Sequence, residues 1–259
     1  KKKGLNSLFN TIKPEIVIIT SANTNIENCE KFKKKTYLVN FELIKNVTQL
    51  SKVFNFKVIF FSTDQVYKNN KNKSKETSIL KPLNYYSKTK ILAENYLKNN
   101  IKKYLILRTN FFGYGPSYRK SFSDLILDNN YQKKIKYYFV DNIFSPVYLP
   151  NLVKILEKML KKNIIGTYNL SSPNFLSKFN FAVYLGKKFK LDQKYIKKGY
   201  LKNNTKLVLR PLNMSMSCEK VQKILNIKIL SIQKQITQMR KDYNKDYYKF
   251  MKNLKIIKR

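Results

Sequence analysis

Ser62-Thr63-Asp64 closes the apolar run from Val58 to Phe61, and further along the chain Tyr86 stands four residues before Lys90. These groups together suit proton transfer to a carbonyl oxygen while a hydride reaches the carbon. A phenol with an ordinary pKa of about 10 is a poor proton donor near neutrality unless a neighbour shifts it. Residues four apart on a helix share a face. Lys90 would therefore stand beside Tyr86, favour the tyrosinate and lower its pKa, and its ammonium could also hold a cofactor ribose. Thr63, with Ser62 the weaker candidate, would donate a hydrogen bond to the carbonyl as negative charge builds there.

The Tyr-x-x-x-Lys spacing alone says little. It recurs at Tyr67/Lys71, Tyr184/Lys188 and Tyr248/Lys252 in a chain with 19 tyrosines, so context must select among them. Only Tyr86/Lys90 follows a strand that ends in hydroxyls and then a proline-led helix. Lys57-Val-Ile-Phe-Phe61 is short, apolar and rich in β-branched and aromatic residues, the pattern of a strand buried on both faces of a parallel sheet. Its carboxyl end is where ligands bind in open α/β sheets. Past Pro82, the spacing of Tyr86, Leu92, Ala93 and Leu97 predicts a helix over 84–99. The same residues also suit a strand-end cap followed by a surface helix, so the rest of the chain has to decide.

Strands over 15–21, 57–62 and 103–109 alternate with helices over 36–53 and 84–99, which argues a parallel sheet covered on both faces. Further on, Phe111-Phe112-Gly113-Tyr114-Gly115-Pro116 reads as a loop. Residues 120–129 read as a helix capped by Ser121 or Ser123, and a proline-led helix spans 150–160. Residues 166–170 read as a strand, and Ser177 caps a helix carrying Phe181, Ala182 and Leu185. Leu207-Val208-Leu209 looks strand-like, and residues 231–252 read as one lysine-rich surface helix.

Composition narrows the function. A chain of 259 residues with 43% hydrophobic content can build a proper core. No apolar stretch is long enough for a membrane span, the basic start lacks a following apolar signal region, and the expectation is a cytosolic protein without membrane partners. Cys29 and Cys218 give neither a disulfide framework nor a C-x-x-C metal site, and the chain has no histidine, so no metal is expected. Proton transfer then falls to Tyr, Lys or carboxylates. The formal net charge is +38, but the lysines are scattered through every segment. A specific nucleic-acid site is therefore not expected, while an anionic small ligand is favoured.

A collinear series of segments decides the matter. It runs through Lys13-Pro-Glu-Ile-Val-Ile-Ile-Thr-Ser-Ala-Asn23, Val39-Asn40, Ser62-Thr63-Asp64-Gln65-Val66-Tyr67, Pro82-Leu83-Asn84-Tyr85-Tyr86-Ser87-Lys88-Thr89-Lys90 and Leu107-Arg108-Thr109-Asn110. It continues with Asp141, Ser145-Pro146, Gly166-Thr-Tyr-Asn-Leu-Ser171 and Arg210-Pro-Leu-Asn-Met-Ser215. This order resembles the extended short-chain dehydrogenase/reductases, and among them the dTDP-4-dehydrorhamnose reductase branch.

The resemblance implies an α/β fold, a Rossmann-type doubly wound parallel sheet with a smaller C-terminal α/β lobe. Residues 1–115 would belong to the NAD(P)-binding domain and 116–259 mainly to the substrate lobe, with late strands near 137–149 and 166–171 interleaved into the first. It implies reduction of a 4-keto nucleotide sugar by NADPH or NADH, with Thr63, Tyr86 and Lys90 catalytic. Thr20, Ser21, Ala22, Ser62, Tyr86, Lys90, Asn110 and Phe111 would contact the cofactor, and Asn23, Asp64 and Arg210 the substrate, Arg210 as a clamp on its diphosphate. A homodimer belongs to the same expectation. Asn40 is expected to be a structural polar residue.

Two other functions stay open on this reading: a nucleotide-binding regulatory subunit of the same fold, as for methionine adenosyltransferase, and a nucleotide-sugar epimerase or dehydratase. The chain departs from the family in one respect. Its glycines stand at 4, 113, 115, 166, 186 and 199, so the Gly-rich turn that holds a dinucleotide pyrophosphate is not found, and residues 5–12 look like the helix before the family's fourth strand. The expectation is a chain that lacks the N-terminal Gly-rich βαβ unit.

Overall fold

The computed structural model describes residues 2–68, 73–243 and 245–254, and the side chains of residues 2, 3 and 246 are outside the description. Helix α1 (Lys2–Ile12) leads into β1 (Ile16–Ile19), α2 (Ile26–Lys31) and α3 (Lys33–Tyr37). A π-helical turn (Leu38–Glu42) joins α3 to α4 (Leu43–Phe54), followed by β2 (Lys57–Thr63), α5 (Tyr85–Asn100) and β3 (Tyr104–Thr109). Next come β4 (Phe111–Phe112), α6 (Phe122–Tyr131), β5 (Lys136–Phe139), β6 (Ile143–Phe144), β7 (Val147–Tyr148), α7 (Leu149–Lys161) and β8 (Gly166–Leu170). The remainder is β9 (Leu176–Ser177), α8 (Lys178–Lys188), β10 (Ile196–Gly199), β11 (Asn213–Met214), α9 (Glu219–Leu225), α10 (Ile232–Asp242) and α11 (Asp246–Asn253).

Strands β1, β2, β3 and β8 lie in that order in one parallel sheet. Alternation along β2 sends side chains to opposite faces. Val58 and Phe60 join Ile44, Val47, Leu50 and Leu97 in one core, while Ile59 joins Leu105, Leu152, Met159 and Val221 in another. Both faces of β2 are therefore buried, which is why its sequence is an unbroken apolar run. A third core, around Phe112, Phe144, Phe181, Leu185, Ile232 and Ile236, holds α6, α8 and α10 together.

Strand β8 lies in the central sheet, while β5 pairs with β10, β6 with β9 and β11, and β7 with β4. Several sequence expectations need correction. Residues 207–209 form no strand, and Leu209 is 74% exposed. The terminal helix is two helices, because extended backbone at Lys245 (φ −104, ψ 168) separates α10 from α11. It is not a surface helix either, since α10 buries Ile232, Gln235, Ile236 and Met239. Helical structure also begins at Ile26, ahead of the expected residue 36. No described helix is long and apolar enough to cross a membrane.

Candidate active site

The carboxyl end of β2 and the first two turns of α5 meet at one place. Asn84 caps α5 with a reciprocal box, its side chain accepting from the Ser87 N–H at 2.9 Å, and this sets Tyr86 and Lys90 in the first turns. Thr63 ends β2, accepts from the Gln65 N–H at 3.3 Å, and donates to Asp64 Oδ1 at 3.2 Å. Thr63, Asp64, Tyr86 and Lys90 are all buried.

The electrostatics differ from the simple Tyr–Lys picture. Burial drives the Tyr86 phenol above the ordinary tyrosine range; the Thr63 hydroxyl opposes that shift, while Asp64 and Cys29 add to it. Lys90 is not among the largest of these influences. Its ammonium donates to the Phe61 carbonyl at 2.5 Å and lies 4.0 Å from the centroid of the Phe60 ring. Burial lowers its pKa to about 7, against the pull of Glu94. Asp64 is raised by burial, countered first by Asn110, whose amide donates to Oδ2 at 2.7 Å.

Ser62 does not face the cleft with Thr63. Its hydroxyl donates to Glu94 Oε1, as strand alternation requires of the neighbour of Thr63. Glu94 also takes Arg108 Nε at 3.0 Å and Nη2 at 2.6 Å, and Arg108 Nη1 donates to Tyr67 Oη at 2.9 Å. Burial raises the Glu94 pKa, but the Arg108 hydrogen bond and charge prevail and hold the carboxyl below the usual range. Ser62 thus belongs to a buried ionic network beneath the site. The competing pair at Tyr67 is part of this network, and its partner by spacing, Lys71, lies outside the described residues.

Thr20 and Ser21 are exposed beyond β1, and Ala22 is partly covered. Asn23 is bonded within the chain: its N–H donates to Asn40 Oδ1 at 2.8 Å, and its amide donates to Thr36 Oγ1 at 3.0 Å. Asn40 returns a bond to the Asn23 carbonyl at 3.0 Å and reaches Thr89 at 3.2 Å on α5. The amide of Asn23 is therefore committed to shaping the loop. Asn40 sits in the π-helical turn, a rare element frequent at functional sites. Phe111 is 50% exposed in β4, just beyond the end of β3. Arg210 donates to the Val208 carbonyl at 3.2 Å and pairs with Glu27. Lys178, which sequence reasoning passed over, enters from the lobe: burial lowers its pKa to about 7, while Asp64 attracts it and Arg210 repels it. Its only signal was a lysine directly after a helix-capping serine, lost among many lysines. Among the described residues no cluster of metal-ligating side chains occurs.

A parallel sheet whose strand ends carry a hydroxyl, a tyrosine and a lysine on one helix defines a Rossmann-like α/β protein of the short-chain dehydrogenase/reductase type. Residues 1–245 match the family described as RmlD substrate binding domain, and the chain belongs to that family. It is 26% identical over 249 residues to dTDP-4-dehydrorhamnose reductase of Aggregatibacter actinomycetemcomitans, covering 90% of this chain and 83% of that protein. Its fold matches the crystal structure of dTDP-4-dehydrorhamnose reductase from Bacillus anthracis in complex with NADP. The TM-score there is 0.83 at 21% identity, covering 92% of this chain and 84% of the other. The dTDP-4-dehydrorhamnose reductase of Clostridium acetobutylicum gives a TM-score of 0.84, again at 21% identity, with 92% and 84% covered.

Proposed function

We propose that the chain reduces the keto group of a 4-keto nucleotide sugar with NADPH or NADH, Tyr86 giving the proton. The observation that carries this reading is the convergence of Thr63, Asp64, Tyr86 and Lys90 at the end of β2, the Thr63 hydroxyl acting on the Tyr86 phenol. The relatives named dTDP-4-dehydrorhamnose reductase, and the NADP in one of the similar structures, support the substrate and cofactor class. Residues 1–115 are taken as the cofactor side and 116–259 mainly as the sugar side. The expected homodimer and cytosolic location belong to the same reading, and sedimentation and cell fractionation test them.

The residues present suit the ribose and nicotinamide end of the cofactor. The Lys90 ammonium has three N–H donors, of which the Phe61 carbonyl takes one. The exposed hydroxyls of Thr20 and Ser21 and the exposed Phe111 ring stand at the strand ends. When bound, the cofactor supplies the hydride.

The protein groups do the rest. Thr63 turns its hydroxyl from Asp64 to the substrate carbonyl and stabilises the charge that grows on it. Tyr86, whose phenol burial keeps protonated, donates its proton to the forming alkoxide. Tyr86 regains its proton from solvent after the transfer, and Lys90, its ammonium turned from the Phe61 carbonyl, would hold the ribose. Asp64, held by Asn110, orients the Thr63 hydroxyl. Replacing Tyr86 by Phe tests the assignment: turnover with a 4-keto nucleotide sugar should be lost while nucleotide binding persists, and unchanged turnover would rule Tyr86 out.

A further inference from the structure

Lys178 stands where its own helix gives no reason for a lysine. It is the first residue of α8, directly after the Ser177 cap, where the helix dipole disfavours a cation. Its backbone N–H donates to the Asn142 carbonyl at 2.9 Å. Its ammonium lies 3.3 Å from the Phe144 ring centroid and 4.6 Å from that of Phe122. Aromatic faces hold a cation in place but leave its charge unneutralised. Among the described residues no carboxylate comes within ion-pair distance of it; Asp64 acts on it from further away.

Arg210 reaches the same place from the other side. Strands β9 and β11 flank β6 in one small sheet. Lys178 follows β9 and Arg210 precedes β11, so the sheet brings the two cations together. Asn142, at the entry to β6, bonds both segments, since its carbonyl accepts from Lys178 and its amide donates to the Pro211 carbonyl at 3.0 Å. Arg210 has Glu27 as a partner. Beneath both, Asp64 is a carboxyl whose ionisation burial resists. Of the two cations, Lys178 is the one with no carboxylate within ion-pair distance among the described residues.

A sugar ring has no charge to match two converging cations, whereas a diphosphate does. We propose that Lys178 is a substrate-binding residue that joins Arg210 in gripping the diphosphate of the nucleotide sugar, its charge being met only when that group is bound. The proposal rests on the reading of the chain as a nucleotide-sugar reductase, and it adds a contact from α8 that the ordered motifs do not contain.

Calorimetry at physiological salt with dTDP, UDP and thymidine as probes tests it, on the wild type, Lys178→Met, Arg210→Gln and the double variant. Lys187→Met, an exposed lysine later in α8, controls for overall charge. A charge-assisted contact predicts about ten- to hundredfold weaker nucleoside diphosphate binding in Lys178→Met. Lys178→Arg and Lys187→Met should stay near wild type, thymidine binding should be unchanged, and the Lys178 and Arg210 losses should be non-additive. If Lys178→Met does not fold, Lys178→Gln and Lys178→Arg carry the comparison. Equal diphosphate affinity in wild type and Lys178→Met overturns the proposal and leaves the reductase reading standing. A wild type that binds neither dTDP nor UDP overturns both.

Discussion

The Lys90 ammonium donates to the Phe61 carbonyl at 2.5 Å, and the polar side chains that weigh most on the Tyr86 phenol are Thr63 and Asp64, although one helix carries both Tyr86 and Lys90. The lysine is stored against the strand end, and Thr63 is the largest polar influence on the tyrosine. Lys90→Met should therefore weaken nicotinamide binding, seen as a raised KM for the cofactor, by more than it changes the pKa of Tyr86. A Tyr86 titration that moves strongly in Lys90→Met, followed by ultraviolet difference spectroscopy, would contradict this arrangement.

Tyr86 itself should behave as a proton donor and not as a binding residue. Tyr86→Phe is expected to lower kcat by about 10²- to 10⁴-fold, the usual range for a general acid, with the Kd for dTDP little changed. Steady-state kinetics and calorimetry on the same preparation separate the two effects. A parallel loss of kcat and of dTDP affinity would mean that the phenol holds substrate instead.

The buried Lys90 also gives a pH signature. Its folded pKa of about 7 lies below the ordinary lysine value of 10.5. Between these values the unfolded chain binds more protons than the folded one, so stability rises with pH across that window. Below pH 7 both states are protonated and the destabilisation is fully present. Lys90→Met should be more stable than wild type at pH 6 and should lose part of the rise between pH 7 and 9, up to about 1.4 kcal/mol per pH unit for one proton. Urea unfolding at pH 6, 7.5 and 9 reads this directly, and an identical slope in both proteins would contradict it. Lys178, similarly lowered, contributes to the same rise but keeps more contact with solvent.

Glu94 and Arg108 are both almost wholly buried, and their ion pair is bonded further to Ser62 and Tyr67. Removing one partner leaves the other charge uncompensated, so Glu94→Ala should destabilise by about 3–5 kcal/mol. The double change Glu94→Leu with Arg108→Met should cost less than the sum of the single changes. Chemical denaturation of the three variants tests this, and strict additivity would show that the charges are not coupled.

Asn40 ties the loop after β1 to α5 through Asn23 and Thr89. Asn40→Ala leaves the part-buried Asn23 N–H without its acceptor, at a cost of about 0.5–1.5 kcal/mol. Thermal unfolding should show the loss, and amide exchange should quicken at residues 20–25. Unchanged exchange there would show that Asn40 does not hold the loop.

The sheet and the Thr63/Tyr86/Lys90 cluster were legible because each is written in local pattern: an apolar run, a terminal hydroxyl, and a capped helix. The bond from Ser62 to Glu94 was not legible, because adjacency in sequence is opposition in a strand, and a strand with both faces buried gives no alternation to reveal it. Asn23 looked free because its partners, Thr36 and Asn40, lie on a later helical segment and in a π-turn that periodicity does not announce. Lys178 was hidden among 48 lysines, and only the small sheet that brings β9 and β11 beside β6 distinguishes it. Leu207–Leu209 had the composition of a strand but no neighbour to pair with, and composition alone could not reveal that.

The most direct test of the central claim is oxidation of NADPH or NADH by the intact protein on adding a 4-keto nucleotide sugar such as dTDP-4-dehydrorhamnose, followed by nicotinamide absorbance, with Tyr86→Phe beside it. The account predicts substrate-dependent oxidation, with a reduced nucleotide sugar as product and near-complete loss in the variant. Binding of cofactor and nucleotide without any oxidation, or equal rates in the two proteins, would contradict it.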